Sequence, residues 1–199
     1  MSRIVALLLL GGALPLAAQA TAPRVYHLTP DSRLEVETGK AGLLGFAGHS
    51  HVIRATRFSG TVHYAAQDPA ATTLTLTILT DGLEVLTPPD TAEIRKVTAA
   101  MRDEVLHVAQ YPEIHFTSTR VKPAGGGYEV TATLTMHGTT RELTVPVTVE
   151  FKGDTLVARG RFSVKQTDYG IRPFRGGPAG TVRVADEVKF RVEARALPE

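Results

Sequence analysis

Residues 45–53 read Gly-Phe-Ala-Gly-His-Ser-His-Val-Ile and place two imidazoles one residue apart. Imidazole is the commonest metal-ligating side chain, and its ordinary pKa lies near neutrality. On a strand, His49 and His51 would point the same way, with Cβ atoms about 7 Å apart from a rise of about 3.3 Å per residue. A third ligand could come from His107, His115 or His137. If the alternation runs unbroken to Phe58, both histidines share the polar face opposite that ring. No Asp or Glu lies close to the pair, and a histidine on a wet face needs no special role. Solvated or hydrogen-bonded side chains are therefore the better reading, and no metal is assigned.

The other polar groups give no nucleophile. The chain has no Cys and no Gly-x-Ser-x-Gly, and its strand serines have no evident Asp-His support. Ser118 is expected on an inward face, its hydroxyl meeting a backbone carbonyl. Asp103 with Arg102 reads as a surface or helix–barrel ion pair. His137-Gly138-Thr139-Thr140-Arg141 is a tight turn with Gly138 at positive φ; a structural turn is the better reading than a head-group contact by His137 and Arg141. Arg172 and Arg175 sit in a Gly/Pro-rich loop after Asp168-Tyr169-Gly170. That loop lacks the helix N-terminus or P-loop spacing that phosphate binding would need. No catalytic residue is assigned, and the expectation is that the protein is not an enzyme.

These residues must be positioned by strands, because period-two alternation dominates. "TTLTLTILT" (72–80), "YEVTATLTMHG" (128–138), "ELTVPVTVEF" (142–151), "RFSVKQ" (161–166) and "EVKFRVEA" (187–194) each have one apolar and one polar face, as half-buried strands of antiparallel sheets do. Gly-rich or tight turns follow at 123–128, 136–142 and 151–156. Pro146 lacks an N–H for the ladder, so its strand is bulged or at an edge there. One segment departs from the pattern. Residues 90–112 carry Ile94, Val97, Met101, Val105 and Val108 at helical spacing, with Asp90 and Glu93 as a capping box and Pro112 as the stop. The fold class is all-β: an antiparallel barrel of about eight strands with one amphipathic helix packed against it.

Bulk properties narrow the function. Residues 1–20 combine Arg3, an apolar run from Ile4 to Leu10 and an Ala18-Gln19-Ala20 cleavage pattern, which reads as a secretory signal peptide. The remaining 21–199 is roughly 180 residues, a length that suits one domain. No later stretch is apolar over about 18 residues, so no transmembrane segment is expected. Twenty-two basic residues face 20 acidic ones, and no basic run is interleaved with aromatics, so nucleic acid is not an expected partner.

Four stretches together resemble the YceI-like family of lipocalin-like, polyisoprenoid-binding secreted proteins. They are "RFSGTVHY" (57–64), "MRDEVLHVAQYPEIHFTSTRV" (101–121), "LTMHGTTRELTVPV" (134–147) and "QTDYGI" (166–171), in family order and across essentially the whole of 21–199. The resemblance implies an eight-stranded lipocalin-like barrel whose apolar lumen takes a long isoprenoid or quinone-like lipid. It implies a periplasmic or secreted location and no cofactor beyond such a lipid. The inward set expected to line the lumen is Leu74, Leu76, Ile78, Ile114, Phe116, Leu134, Met136, Val145, Val147, Phe162 and Val164. Alternation alone does not separate a hollow barrel from a filled one. Two other readings stay open: a metal- or redox-linked protein using the His49/His51 strand, and a solid barrel that docks elsewhere. A homodimer is also left open.

Overall fold

The computed structural model describes residues 22–41, 50–86, 91–176 and 181–199. The expected signal peptide, His49 and the Asp90 cap lie outside these residues. The strands are β1 (Arg24–Leu28), β2 (Arg33–Ala41), β3 (Val52–Ala55), β4 (Phe58–Tyr64), β5 (Thr73–Leu79), β6 (Leu83–Val85), β7 (Glu113–Ala124), β8 (Gly127–Met136), β9 (Thr139–Lys152), β10 (Thr155–Lys165), β11 (Arg175–Gly176) and β12 (Val182–Pro198). Helix α1 (Thr91–Ala100) continues into a π turn at Met101–Val105.

Eight strands close an antiparallel ring in the order β1-β4-β5-β7-β8-β9-β10-β12, with β12 returning to β1. The other short strands extend this ring. Along one side of β12, residues 183–193 pair with β2 and residues 196–198 with β1. Strand β3 pairs with β2, and β6 with β3, just as β4 pairs with β1 and β5 with β4. The first three staves of the barrel are therefore bent strands, β1–β2, β3–β4 and β5–β6, broken at 29–32, 56–57 and 80–82. The whole ring is a meander, with α1 inserted between its third and fourth staves.

The breaks are held by hydrogen bonds that replace the lost ladder. Thr29 N–H donates to the Arg195 carbonyl, Arg195 N–H donates to Ser32 Oγ (2.9 Å), and Thr56 Oγ1 donates to the Gly82 carbonyl (2.8 Å). At 56–57 the break also shifts parity. Ile53 and Ala55 face inward from β3, whereas Phe58 and Val62 do so from β4. The alternation thus does not run unbroken to Phe58. His51 faces the lumen with Ile53 instead of sharing an outer polar face.

Hairpin chemistry follows the sequence. Gly125 and Gly126 (φ 54° and 80°) join β7 to β8, and His137 and Gly138 (φ 50° and 73°) join β8 to β9. Both are two-residue loops with two positive φ values, the twist that hairpins favour. Pro146 sits where the β9–β10 ladder ends at Val147–Gly160, so its missing N–H falls at a locally unpaired edge. The helix is shorter than expected. It ends at Val105, because His107 adopts φ 46°, well before Pro112.

Helix α1 lies across one end of the barrel. Ile94, Val97 and Met101 pack on Leu34, Ala55, Leu83 and Val85. Arg102 makes no ion pair with Asp103. Its guanidinium instead donates to the carbonyls of Asp81 (2.7 Å) and Leu83 (3.2 Å), tying the π turn to the rim. Ser118 also differs from expectation: its Oγ accepts from Leu74 N–H (2.8 Å) rather than meeting a carbonyl. It stands next to a bulge between Ser118 and Arg120 in β7.

Candidate functional site: the barrel lumen

The inward side chains do not meet at the barrel axis. They line a partly open cavity of about 550 Å³, within the size range of ligand sites in proteins. All eight staves contribute to its wall, with aliphatic and aromatic side chains such as Leu34, Leu76, Phe116, Leu134, Ala158 and Val192. Phe162 and Phe190, cross-strand partners on β10 and β12, stack with ring centroids 4.6 Å apart and planes 3° apart. Small residues widen the bore beside them: Ala158, Gly160 and Ala194 line the wall where a larger side chain would fill it.

Ten of the eleven residues expected on the inner face lie on this wall. Val164 does not. It packs with Tyr169 and Ile171, where the Gln166–Tyr169 turn has already covered the end of β10. Alternation alone missed the β1–β3 and β12 contributions. "RLEVET" (33–38) is short and charged on its outer face, and the inward alanines of β12 look unremarkable until their strand is placed in the ring.

Polar groups are a minority on this wall. At the helix end lie Thr38, His51, Glu93, Lys96, Gln166 and Arg183; at the far end lie Tyr64 and Tyr128. The Tyr64 and Tyr128 hydroxyls are 3.2 Å apart. Burial, and then the hydrogen bond to Tyr128, push the Tyr64 phenol up to about 12.

The remaining sequence motifs form a structural knot beside the helix end. The Tyr111 ring lies 4.2 Å from the His137 imidazole, and His107 lies 5.6 Å from it. A Cβ at Gly138 would come within 2.8 Å of Tyr111 Cε1, so this turn needs glycine for space as well as for φ. Thr80 ties the Tyr111-Pro112 carbonyls to β5: its Oγ1 donates to Tyr111 O and its N–H to Pro112 O. Arg141 Nε donates to the Asp168 carbonyl (3.0 Å). Gln166 Nε2 donates to Ala185 O, and Thr167 bonds Asp186 through its N–H and its hydroxyl. These contacts clamp the turn after β10 onto the irregular stretch of β12 between Val184 and Val188. His137 is half-buried, and burial followed by the nearby His107 lowers its pKa. Its Nε2 has no hydrogen-bond partner. Neither His137 nor Arg141 lines the cavity.

Among the described residues, His51 lies at the lumen and His137 in the turn beside Tyr111. His115 is on the outer surface, between Thr77 and Glu113. Among the described residues, no group of three His, Asp or Glu side chains could hold a metal ion. None of the described helices is long and apolar enough to cross a membrane. Arg175 pairs with Arg183 through β11 and β12, and Ile171 is buried, so the loop of Arg172 and Arg175 is anchored against the barrel.

The fold recurs in solved structures. BcnA of Burkholderia cenocepacia superposes with a TM-score of 0.67 at 22% identity, over 84% of this chain and 98% of that one. A polyisoprenoid-binding domain from Saccharophagus degradans superposes with a TM-score of 0.60 at 16% identity, over 89% and 99%. In sequence, Protein YceI of Salmonella arizonae is 31% identical over 97 residues, and the match covers 49% of this chain and 48% of the relative. The chain thus spans about half the length of the curated relatives it matches. The model of the YceI-like domain matches residues 30–196, which takes in every stave of the ring from the β1–β2 break to β12. The chain belongs to the YceI-like family.

Proposed function

We propose that this protein holds a long apolar ligand, an isoprenoid or quinone-like lipid, inside the barrel. The observation that carries the reading is the predominantly apolar cavity of about 550 Å³ inside the barrel. Such a space suits a chain better than a compact polar molecule. Burying a prenyl or alkyl chain yields about 0.8 kcal/mol per CH₂, enough for micromolar binding after the cost of association. The Saccharophagus neighbour is described as binding polyisoprenoid, which agrees with this chemistry. The task needs no catalytic group, since a carrier only has to replace water around the chain. The layout of residues 1–20 supports export, and a periplasmic carrier of membrane lipids is the reading that joins the two.

The test is mass spectrometry of an organic extract of protein purified from its own host, followed by uptake of prenols by the delipidated protein. A stoichiometric prenyl species is expected. Protein that carries no lipid and takes up no prenol would overturn the proposal.

A further inference from the structure

The two ends of the bore are built differently, and the difference bears on which ligands fit. Strands β4 and β8 are not neighbours: β5 and β7 separate them, so they stand on nearly opposite walls of the eight-membered ring. The hydroxyls of Tyr64 and Tyr128 nevertheless lie 3.2 Å apart. Two long side chains therefore cross the lumen and meet. Both line the cavity, but Tyr26 and Phe151, whose rings pack against Tyr64 with centroids 6.5 and 5.3 Å away, do not. Phe151 is 46% exposed, so solvent begins one aromatic layer beyond the phenol bridge. At the other end, the polar side chains of α1, β2 and β12 border the cavity.

We propose that the Tyr64–Tyr128 bridge is the floor of the bore and limits the length of chain the barrel accepts. The proposal rests on the reading of the lumen as a lipid site. A chain entering from the helix end runs down the barrel until it meets the two phenols. Along β8, the stretch from Met136 to Tyr128 corresponds to a bore of roughly 20 Å, given about 3.3 Å per residue and a strand tilt of about 40°. A longer chain has to break the phenol bridge and displace two packed rings, or leave its excess carbons in water at the mouth. Burial and the hydrogen bond to Tyr128 raise the pKa of Tyr64, so its phenol stays protonated.

The experiment measures the affinity of the delipidated protein for farnesol, geranylgeraniol and solanesol, in the native chain and in Tyr128→Ala. Tyr64→Leu serves as the second variant should Tyr128→Ala fail to fold, with circular dichroism as the check. In the native chain, affinity should climb with chain length and then level off or fall. In the variant, the climb should continue to longer prenols, by on the order of tenfold or more for each isoprene unit newly buried. A folded variant with the same length limit as the native chain would overturn the floor and leave the lipid reading standing. No binding of any prenol by either form would overturn the lipid reading, and the floor with it.

Discussion

Leu134→Trp separates the role of the cavity from that of the fold. Leu134 is 3% exposed, lies two residues before the end of β8 between Phe116 and Arg141, and faces the lumen beside Met136 and Tyr169. In a filled core, adding an indole costs about 1–3 kcal/mol. Here the extra atoms can grow into open bore, so the cost should sit near the bottom of that range. A penalty of about 1 kcal/mol lowers Tm by about 2–4 °C in a domain of this size. The effect on ligand is larger. An indole that displaces one isoprene unit, roughly five carbons at about 0.8 kcal/mol each, removes about 4 kcal/mol, or close to three orders of magnitude in Kd. The chain has no Trp of its own, so the new indole is also a reporter, and a dry lumen gives blue-shifted emission. Calorimetric titration with geranylgeraniol, read beside thermal melting and emission, decides the matter. A folded variant with blue-shifted emission and unchanged affinity would refute the claim that the lumen holds the chain.

Other predictions concern the scaffold. Gly138→Ala should destabilise more than Gly125→Ala. Both positions have positive φ, which costs about 1–2 kcal/mol for alanine, but only Gly138 has Tyr111 within 2.8 Å of the added Cβ; equal Tm losses would show that Tyr111 moves aside freely. His137 is harder to protonate in the folded protein than its ordinary value of 6.5, because burial and His107 disfavour the cation. The unfolded chain binds that proton first, so stability is full above pH 6.5 and declines as pH falls from there toward the lowered folded value. His137→Asn, which tolerates the turn's positive φ, should flatten the Tm slope over that window, and parallel slopes would assign the decline to other groups. Arg102→Met removes the donors to Asp81 O and Leu83 O. It should cost about 1–2 kcal/mol and hasten proteolysis within α1, and unchanged cleavage kinetics would show that apolar packing alone seats the helix.

The strong alternations of β5, β8 and β9 announced both their faces and their turns, because one side of each strand is wet. What the sequence hid lies where the period breaks. The 56–57 kink reverses parity, so His51 faces inward despite a pattern that puts it with the polar set. The end of α1 depends on a left-handed His107, which no local signal distinguishes from a helical histidine. Hollowness was also unreadable: Ala158, Gly160 and Ala194 open space only because they meet across particular registers. The Tyr-Pro, His-Gly-Thr-Thr-Arg and Gln-Thr-Asp-Tyr-Gly elements were legible as motifs. Their shared location, one corner clamped against β12, is a long-range contact that spacing along the chain does not encode.

Strand β12 meets β10 on one side and both β1 and β2 on the other, and the contact from Thr29 to Arg195 spans 166 residues. The β7–β8, β8–β9 and β9–β10 seams zip locally as hairpins, whereas the seam of β12 with β1 and β2 joins the two ends of the barrel's chain. This one requires a large loop to close, and its closure entropy opposes it until the rest of the sheet is in place. Before residues 182–198 dock, the protein is an open sheet with two unpaired edges and a wet apolar face, the form most prone to pairing with other chains. The final strand therefore acts as a folding checkpoint. A chain truncated before it should have no lumen and should aggregate, whatever the quality of the other seven staves.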